Sequence, residues 1–278
     1  MARRISRPMA LRITWLIAPT RISAHAVTCG AIVVAMTAAV GFASGRISGW
    51  VLGAVLLQAW YLLDHVDGQI ARLRGASTLD GIQLDYLMHH LVNLMVPMSF
   101  GYGLWNATGI ENWLLFGFTF AVGLLLLGLA NDARYKAFIA RLKQLDGIPL
   151  VVRQNGFGVA VGNAGVTHNR LLRFAVHLAR KLCEIHVVMN LVTLVAVFQC
   201  LARTTMPMQL YLAVIAPLAL FTAIVTLARD IRRGAAEQEF ARWYHSHVED
   251  HISPDDRGQQ GTQPEVVAAG DLIAAGNS

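Results

Sequence analysis

Residues that can do chemistry are concentrated in one stretch of the sequence, DHVDGQIARLRGASTLDGIQLDYLMHH. It begins with two carboxylates three residues apart, Asp64 and Asp67, and it ends with Asp85 and the pair His89 and His90. Carboxylate oxygens and imidazole nitrogens are the atoms with which side chains bind divalent cations. Charges beside an apolar, membrane-like run are costly unless they serve a function, so this stretch is a candidate functional site.

Helical spacing places the first polar groups of the stretch on one narrow face. At about 100° per residue, Asp67 lies about 60° from Asp64 around a helix, and Gly68 and Ala71 lie within about 40° of it. Arg72 lies at the edge of that face. The face is therefore acidic, and its two small residues let a bulky group approach the backbone.

A second helix is predicted after a short turn. Ser77 and Asp80 have the spacing of a capping box at its start. On this helix Gly81, Asp85 and His89 are four residues apart, so they lie along one side. The sequence therefore predicts two helices whose acidic faces meet.

Three converging carboxylates repel one another unless a cation lies between them. Oxygen ligands suit Mg²⁺, Mn²⁺ or Ca²⁺, and Mg²⁺ is usually held by a few carboxylates together with phosphate oxygens of a substrate. A diphosphate would complete such a site. The alternative is that Asp64 or Asp67 forms surface salt bridges with Arg72 and Arg74, which explains neither the small residues nor the second helix.

The order of these residues resembles the signature of the CDP-alcohol phosphotransferase (CDP-alcohol phosphatidyltransferase) family, Asp-x-x-Asp-Gly-x-x-Ala-Arg, eight residues, then Gly-x-x-x-Asp-x-x-x-Asp. The last position holds His89 where the family has aspartate. The other seven positions match, and they are Asp64, Asp67, Gly68, Ala71, Arg72, Gly81 and Asp85. The resemblance covers roughly residues 5–230, including the segment ISAHAVT before the first apolar run.

The resemblance implies a transferase of phospholipid biosynthesis. Such an enzyme displaces CMP from a CDP-linked alcohol, often CDP-diacylglycerol, with the hydroxyl of a second alcohol that the sequence does not identify. It implies a pair of divalent ions, Mg²⁺ or Mn²⁺, and a homodimer. The implied metal ligands are Asp64, Asp67 and Asp85, and the residues implied to hold the donor are Asp64, Gly68, Ala71, Arg72 and Gly81.

Histidine at position 89 changes the expected chemistry. In the family, the aspartate at this position is thought to be the base that takes the acceptor's hydroxyl proton, and it also contacts metal. Imidazole, with a reference pKa of about 6.5, suits a base near neutral pH. It is a poorer ligand for Mg²⁺ but is acceptable to Mn²⁺ or Zn²⁺. We expect His89 to be the catalytic base and a metal ligand. The alternatives are altered metal or acceptor use, and a chain that only binds nucleotide or lipid.

The composition predicts the fold that positions this stretch. The chain is 55% hydrophobic and 14% charged, whereas soluble domains carry about 25% charged residues. Six runs approach the ~20 apolar residues that span a bilayer as a helix, although the third opens with Asp85, His89 and His90. They are residues 26–44, 47–63, 84–104, 113–130, 185–202 and 210–228. We predict an all-α polytopic membrane protein with six transmembrane helices and an N-terminal interfacial segment.

The basic residues predict the orientation. If the N-terminus is cytoplasmic, 21 of the 23 Lys and Arg residues lie on the inner side, and only Arg46 and Arg203 lie outside. Retention of cations on the cytoplasmic side therefore predicts an integral protein of the cell (inner) membrane, with the N-terminus, the active site and the C-terminus cytoplasmic. Orientation accounts for the net charge of +6, and binding of nucleic acid is not expected.

Three regions are predicted. Residues 1–25 form a basic interfacial segment, residues 26–233 form the catalytic membrane domain with a cytoplasmic insert at about 131–184, and residues 234–278 form a polar, disordered cytoplasmic tail. The insert is glycine-rich in the middle and ends in a basic amphipathic helix. A small transporter is the competing class, but it would carry paired repeats and charges near the bilayer midplane. The three cysteines lack metal-ligand spacing, and we expect them to be small buried hydrophobes.

Overall fold

The computed structural model describes residues 6–75, 78–143 and 170–240, and these residues form helices and turns without strands. Eight helices of 12 or more residues are found in them. They are α1 (Ser6–Ile17), α2 (Ala24–Ala43), α3 (Ile47–Leu73), α4 (Leu79–Thr108), α5 (Asn112–Lys143), α6 (Arg170–Leu182), α7 (Ile185–Ala202) and α8 (Met206–Arg232). The predicted all-α class is confirmed, and each of the six apolar runs lies almost entirely within one of the long helices.

Five described helices are long and apolar enough to cross a membrane, namely α2, α3, α5, α7 and α8. The third predicted run lies in α4, which has 30 residues and is not among the five. His89, His90 and Asn93 reduce the hydropathy of its first half. At about 1.5 Å per residue, α4 is about 45 Å long and exceeds the ~30 Å hydrocarbon core. The protein is a polytopic helical membrane protein, and a sixth span through α4 stays a prediction.

Apolar side chains cover both the interior and the exterior of the first compact unit, which comprises Met1–Leu129 and Val166–Thr226. Phe42, Trp50, Phe100 and Phe120 are fully buried and pack ring against ring in its core. Large apolar side chains also point outward along the spans, since Val40 is 72% exposed and Leu115 is 66% exposed. Exposed apolar surface of this extent suits contact with lipid tails rather than water.

Glycines allow α2, α3 and α4 to approach at the level of the backbone. A methyl group added to Gly53 of α3 would lie 2.9 Å from the carbonyl oxygen of Ala38, and one added to Gly103 of α4 would lie 2.1 Å from that of Phe42. Both oxygens belong to α2, so a larger residue at either position would push helices apart. This contact fixes the relative positions of the two helices that carry the acidic residues.

The N-terminal helix α1 is attached to the end of α3. The hydroxyl of Thr14 donates to Gln69 Oε1 at 2.8 Å. The guanidinium of Arg74, just after α3, donates to the carbonyl oxygens of Thr20 at 2.8 Å and of Ile22 in the segment between α1 and α2. Trp15 is 77% exposed, and the place of this segment at the membrane interface stays a prediction.

The turn between α3 and α4 differs in detail from the predicted capping box. Gly75, two residues after the end of α3, has a φ of +61°, a backbone conformation that glycine adopts without strain. The N-cap of α4 is Thr78, whose hydroxyl accepts a hydrogen bond from the N–H of Gly81. Ser77, the predicted cap, lies outside the described residues. Thr and Ser both cap helices well, and the start of α4 is therefore fixed one residue later than expected.

The second compact unit comprises Ala130–Gly165 and Leu227–Ser278, of which residues 130–143 and 227–240 are described. Arg134 forms ion pairs with Asp230 at 3.8 Å and Glu239 at 3.9 Å, and the rings of Phe138 and Phe240 lie 5.3 Å apart. Residues 235–240 of the predicted tail are helical. The rest of the tail and the glycine-rich part of the insert lie outside the described residues.

Helix α6 confirms the amphipathic helix predicted at the end of the insert, and its place at the membrane surface stays a prediction. The expectation of buried cysteines holds for Cys183 only, because Cys29 and Cys200 are exposed on α2 and α7. Both lie on apolar helices, where an exposed thiol faces the same surroundings as its apolar neighbours. Burial raises the pKa of the Cys183 thiol to about 11, so this thiol is not a nucleophile at neutral pH.

Candidate active site

The last turns of α3 and the first turns of α4, together with residues of α1 and α2, line an open cavity of about 720 Å³. It is lined by the eight signature residues, which are Asp64, Asp67, Gly68, Ala71, Arg72, Gly81, Asp85 and His89. Because α3 continues as one helix to Leu73, the first five share one face, as the spacing predicts. The second helix supplies the remaining three. The predicted meeting of two acidic helix faces is therefore found.

Three side chains in this cavity converge closely enough to share an ion. Ligand atoms of Asp64, Asp85 and His89 all lie within 4.8 Å of one another. His89 Nε2 is 3.2 Å from Asp64 Oδ1 and 3.6 Å from Asp85 Oδ1. Two carboxylates and one imidazole form a donor set that divalent cations accept, and the group therefore fits a divalent metal.

Asp67 lines the same cavity but is not part of this three-residue group. Its side chain is 5% exposed and is engaged on both oxygens. Thr28 Oγ1 of α2 donates to Oδ2 at 2.7 Å, and the N–H of Gly68 donates to Oδ1 at 2.5 Å. Hydrogen bonds of this kind stabilise a buried carboxylate. The sequence predicts all three aspartates as metal ligands. In the structure Asp64 and Asp85 converge with His89, and Asp67 is held by Thr28 of α2.

Two further side chains hold the converging group in place. His65 Nδ1 lies 3.5 Å from Asp64 Oδ2, the oxygen that does not face His89, and 3.0 Å from the carbonyl oxygen of Tyr61. The fully buried Trp60 meets the His89 ring edge to face, with centroids 5.8 Å apart. Asp64 thus lies between two imidazoles, one at each oxygen, and the ring of His89 is held by an aromatic neighbour.

The small residues do not simply leave open space. A methyl group added to Gly68 would lie 3.3 Å from Arg72 Nη1, so the Arg72 guanidinium extends along the backbone of Gly68. At Gly81 an added methyl group would lie 3.2 Å from Thr78 Oγ1 and 3.4 Å from His25 Nε2. Because neither glycine has a side chain, the Arg72 guanidinium and the His25 imidazole can approach the cavity wall closely.

The alternative of surface salt bridges is not what the described residues form. Asp64 is paired with histidines, Asp67 with Thr28, and Arg74 donates to backbone carbonyls. The cavity explains the small residues and the second helix, as the metal interpretation requires.

Comparison with known proteins agrees with this geometry. The model of one protein family, described as CDP-alcohol phosphatidyltransferase, matches residues 17–153. The chain belongs to the CDP-alcohol phosphatidyltransferase family. No curated protein matches the chain.

Membership of the CDP-alcohol phosphatidyltransferase family establishes the general activity. These proteins are membrane-embedded transferases of phospholipid biosynthesis, and they transfer a phosphate-linked alcohol from a CDP-alcohol donor to an alcohol acceptor. The family uses a divalent metal, and the group of Asp64, Asp85 and His89 provides a place for one in this CDP-alcohol phosphatidyltransferase.

Several residues of the site were missed at the level of the sequence. Thr28 and His25 lie in ISAHAVT, the segment that carried part of the resemblance, but nothing in it indicates that Thr28 reaches Asp67. His65 stands inside the signature at a position where the signature specifies no residue. Trp60 precedes the signature by one helical turn, and that spacing was its only signal.

Proposed function

We propose that this chain is a metal-dependent transferase that moves a phosphatidyl or related phospho-alcohol group from a CDP-linked donor, such as CDP-diacylglycerol, to an alcohol acceptor. CMP is the second product. The observation that carries the proposal is the convergence of Asp64, Asp85 and His89 in a cavity that is lined by every signature residue.

The cavity suits the polar part of the donor. Ligand pockets usually measure about 300–1,000 Å³, and this one measures about 720 Å³. That volume holds a nucleoside diphosphate but not two acyl chains as well, so we place the chains of a lipid donor in the bilayer. Arg72 lies along Gly68 and gives the wall a positive charge, which suits a phosphate. We assign donor binding to Asp64, Gly68, Ala71, Arg72 and Gly81.

We assign the metal site to Asp64, Asp85 and His89; Asp67, which lines the same cavity, stays a fourth predicted ligand. A divalent ion, when bound, neutralises the diphosphate and the charge that develops on departing CMP. The chain's own residues then have separate tasks. Asp64 and Asp85 supply negative charge at the cavity wall, and Thr28 keeps Asp67 in position by its hydrogen bond.

The proposed reaction exchanges one phosphate–oxygen bond for another. The acceptor oxygen bonds to the phosphorus that carries the donor alcohol, the bond from that phosphorus to the oxygen of CMP breaks, and the hydroxyl proton of the acceptor is released. The sequence predicts His89 as the base that takes this proton. That role stays a prediction.

We also propose the orientation and the assembly. The cation asymmetry supports an active site that opens to the cytosol, where the soluble nucleotide leaves. The resemblance to the family supports a homodimer.

The test is the release of CMP by the purified protein in detergent or lipid. CDP-diacylglycerol is supplied with candidate acceptors, in Mg²⁺ and in Mn²⁺. In a second experiment, the protein is produced in a host that otherwise lacks it, and the lipids that change are identified by mass spectrometry. We expect His89→Ala to reduce turnover by about 100-fold or more, because it removes a side chain that is both the predicted base and an assigned metal ligand, and His89→Asp to retain part of it. His177→Ala on α6 is the matched control, because this exposed imidazole does not line the cavity. The proposal is wrong if CMP is released with none of the acceptors, or if His89→Ala turns over as fast as the parent.

A further inference from the structure

The two roles expected of His89 compete for the nitrogen atom that faces the acidic group. A carboxylate can bind an ion with one oxygen and accept a proton with the other, so an aspartate at this position can perform both tasks. The imidazole of His89 directs Nε2 at Asp64 Oδ1 and Asp85 Oδ1. Nε2 has one lone pair, which cannot hold an ion and accept a proton at the same time.

The three ligand atoms are close enough to share one ion. Those of Asp64, Asp85 and His89 all lie within 4.8 Å of one another, and His89 Nε2 lies 3.2 Å and 3.6 Å from its two carboxylate neighbours. Asp67 lies outside the group and is engaged by Thr28, so the converging donors are two oxygens and one nitrogen.

The supporting contacts are those that orient metal ligands. In metal sites, ligating carboxylates are themselves hydrogen-bonded, and ligating imidazoles are held in one orientation by neighbours. Here His65 lies at the outer oxygen of Asp64, and Trp60 packs against the ring of His89. Asp64 and His89 both line the cavity.

We propose that Asp64, Asp85 and His89 form a mixed nitrogen–oxygen site, with His89 Nε2 as a ligand, that binds Mn²⁺, Co²⁺ or Zn²⁺ in preference to Mg²⁺. Imidazole favours these ions over Mg²⁺, which prefers oxygen. The inference rests on the proposed function, because it concerns the metal of that reaction. It assigns His89 Nε2 to the ion, so this nitrogen does not accept the acceptor's proton while the ion is bound.

The test uses the full-length protein in detergent, stripped with a chelator and reloaded with one equivalent of Mn²⁺. Pulsed electron paramagnetic resonance detects a nitrogen nucleus bound to Mn²⁺. We expect nitrogen coupling in the parent and its loss in His89→Asp, which supplies an oxygen ligand instead. The Mg²⁺ concentration that displaces half of the Mn²⁺ should fall by about tenfold or more in His89→Asp, because the site then becomes an all-oxygen one.

Two controls separate this site from other imidazoles. His177→Ala removes an exposed histidine of α6, and a variant with alanine at the tail positions His245, His247 and His251 removes the only closely spaced group of histidines in the tail. Both should keep the nitrogen coupling. The inference is overturned if the parent shows no coupling, if His89→Asp keeps it, or if either control loses it. A wild-type protein that releases CMP without nitrogen coupling would refute the inference alone. Nitrogen coupling without CMP release would refute the proposed function alone.

Discussion

The hydrogen bond from Thr28 to Asp67 can be removed with almost no change in shape. Thr28→Val keeps the branched side chain and deletes the hydroxyl, which leaves Oδ2 of a carboxylate that is only 5% exposed without its donor. Hydrogen bonds to charged groups contribute about 1.5–3 kcal/mol. At about 2–4 °C per kcal/mol for a domain of this order of size, the melting temperature should fall by about 3–12 °C.

Thermal unfolding of the detergent-solubilised protein measures this effect. Thr37→Val is the matched control on the same helix, since the hydrogen bond of the Thr37 hydroxyl among the described residues goes to the carbonyl oxygen of Val33, one turn earlier in α2. Thr28→Ser should restore most of the stability, because it retains the hydroxyl. In an Asp67→Asn background the cost of Thr28→Val should shrink, as expected of two residues that act through one bond. If Thr28→Val and Thr37→Val melt together, α2 does not hold Asp67 and our account of the acidic face is wrong.

Two further predictions concern the framework of the site. Arg74→Gln should make trypsin cleavage of the α1 segment about fivefold faster or more. The change removes hydrogen bonds to backbone carbonyls, which lowers the free energy that holds this segment by roughly 1 kcal/mol or more. An unchanged cleavage rate would refute this anchoring role. Gly103→Ala should destabilise the fold by about 1–3 kcal/mol through its collision with the Phe42 carbonyl, a typical effect of overpacking. Gly30→Ala, whose added methyl group meets nothing within 4 Å, should melt no lower than the parent, and equal melting of the two variants would contradict the described packing.

The spans and the motif were predictable because they depend on local pattern. Runs of apolar residues identify helices that can cross a membrane, and five of the six runs lie in helices that are long and apolar enough to do so. Spacing along a helix also determines the side of the helix on which each residue lies, which is why Gly81, Asp85 and His89 lie on one side of α4 as expected. Helix α4 is not among the candidate spans, because polar residues that line the site lower the hydropathy of its first half.

Contacts between helices were not predictable from the pattern. The angle between Asp64 and Asp67 on α3 follows from the helical repeat. The partner of Asp67 is Thr28, 39 residues earlier in the chain, and this contact depends on how α2 packs against α3. Asp64 and Asp67 therefore lie on one face of α3 but have different partners, His89 for Asp64 and Thr28 for Asp67. The cap of α4 illustrates a smaller limit, since adjacent Ser77 and Thr78 are both good caps and only the path of the turn selects one.

The backbone contact of α3 with α2 at Gly53 lies eleven residues before Asp64, a distance of about 16 Å along the helix. Helix α3 is unbroken between these points, so it transmits a change of tilt as a rigid rod. A tilt of about 5° at Gly53 would move the Asp64 carboxylate by about 1.4 Å, several times the ~0.2 Å tolerance of metal–ligand distances. Substitutions that enlarge this distant glycine should therefore be mistaken for active-site mutations in any screen that reads activity alone.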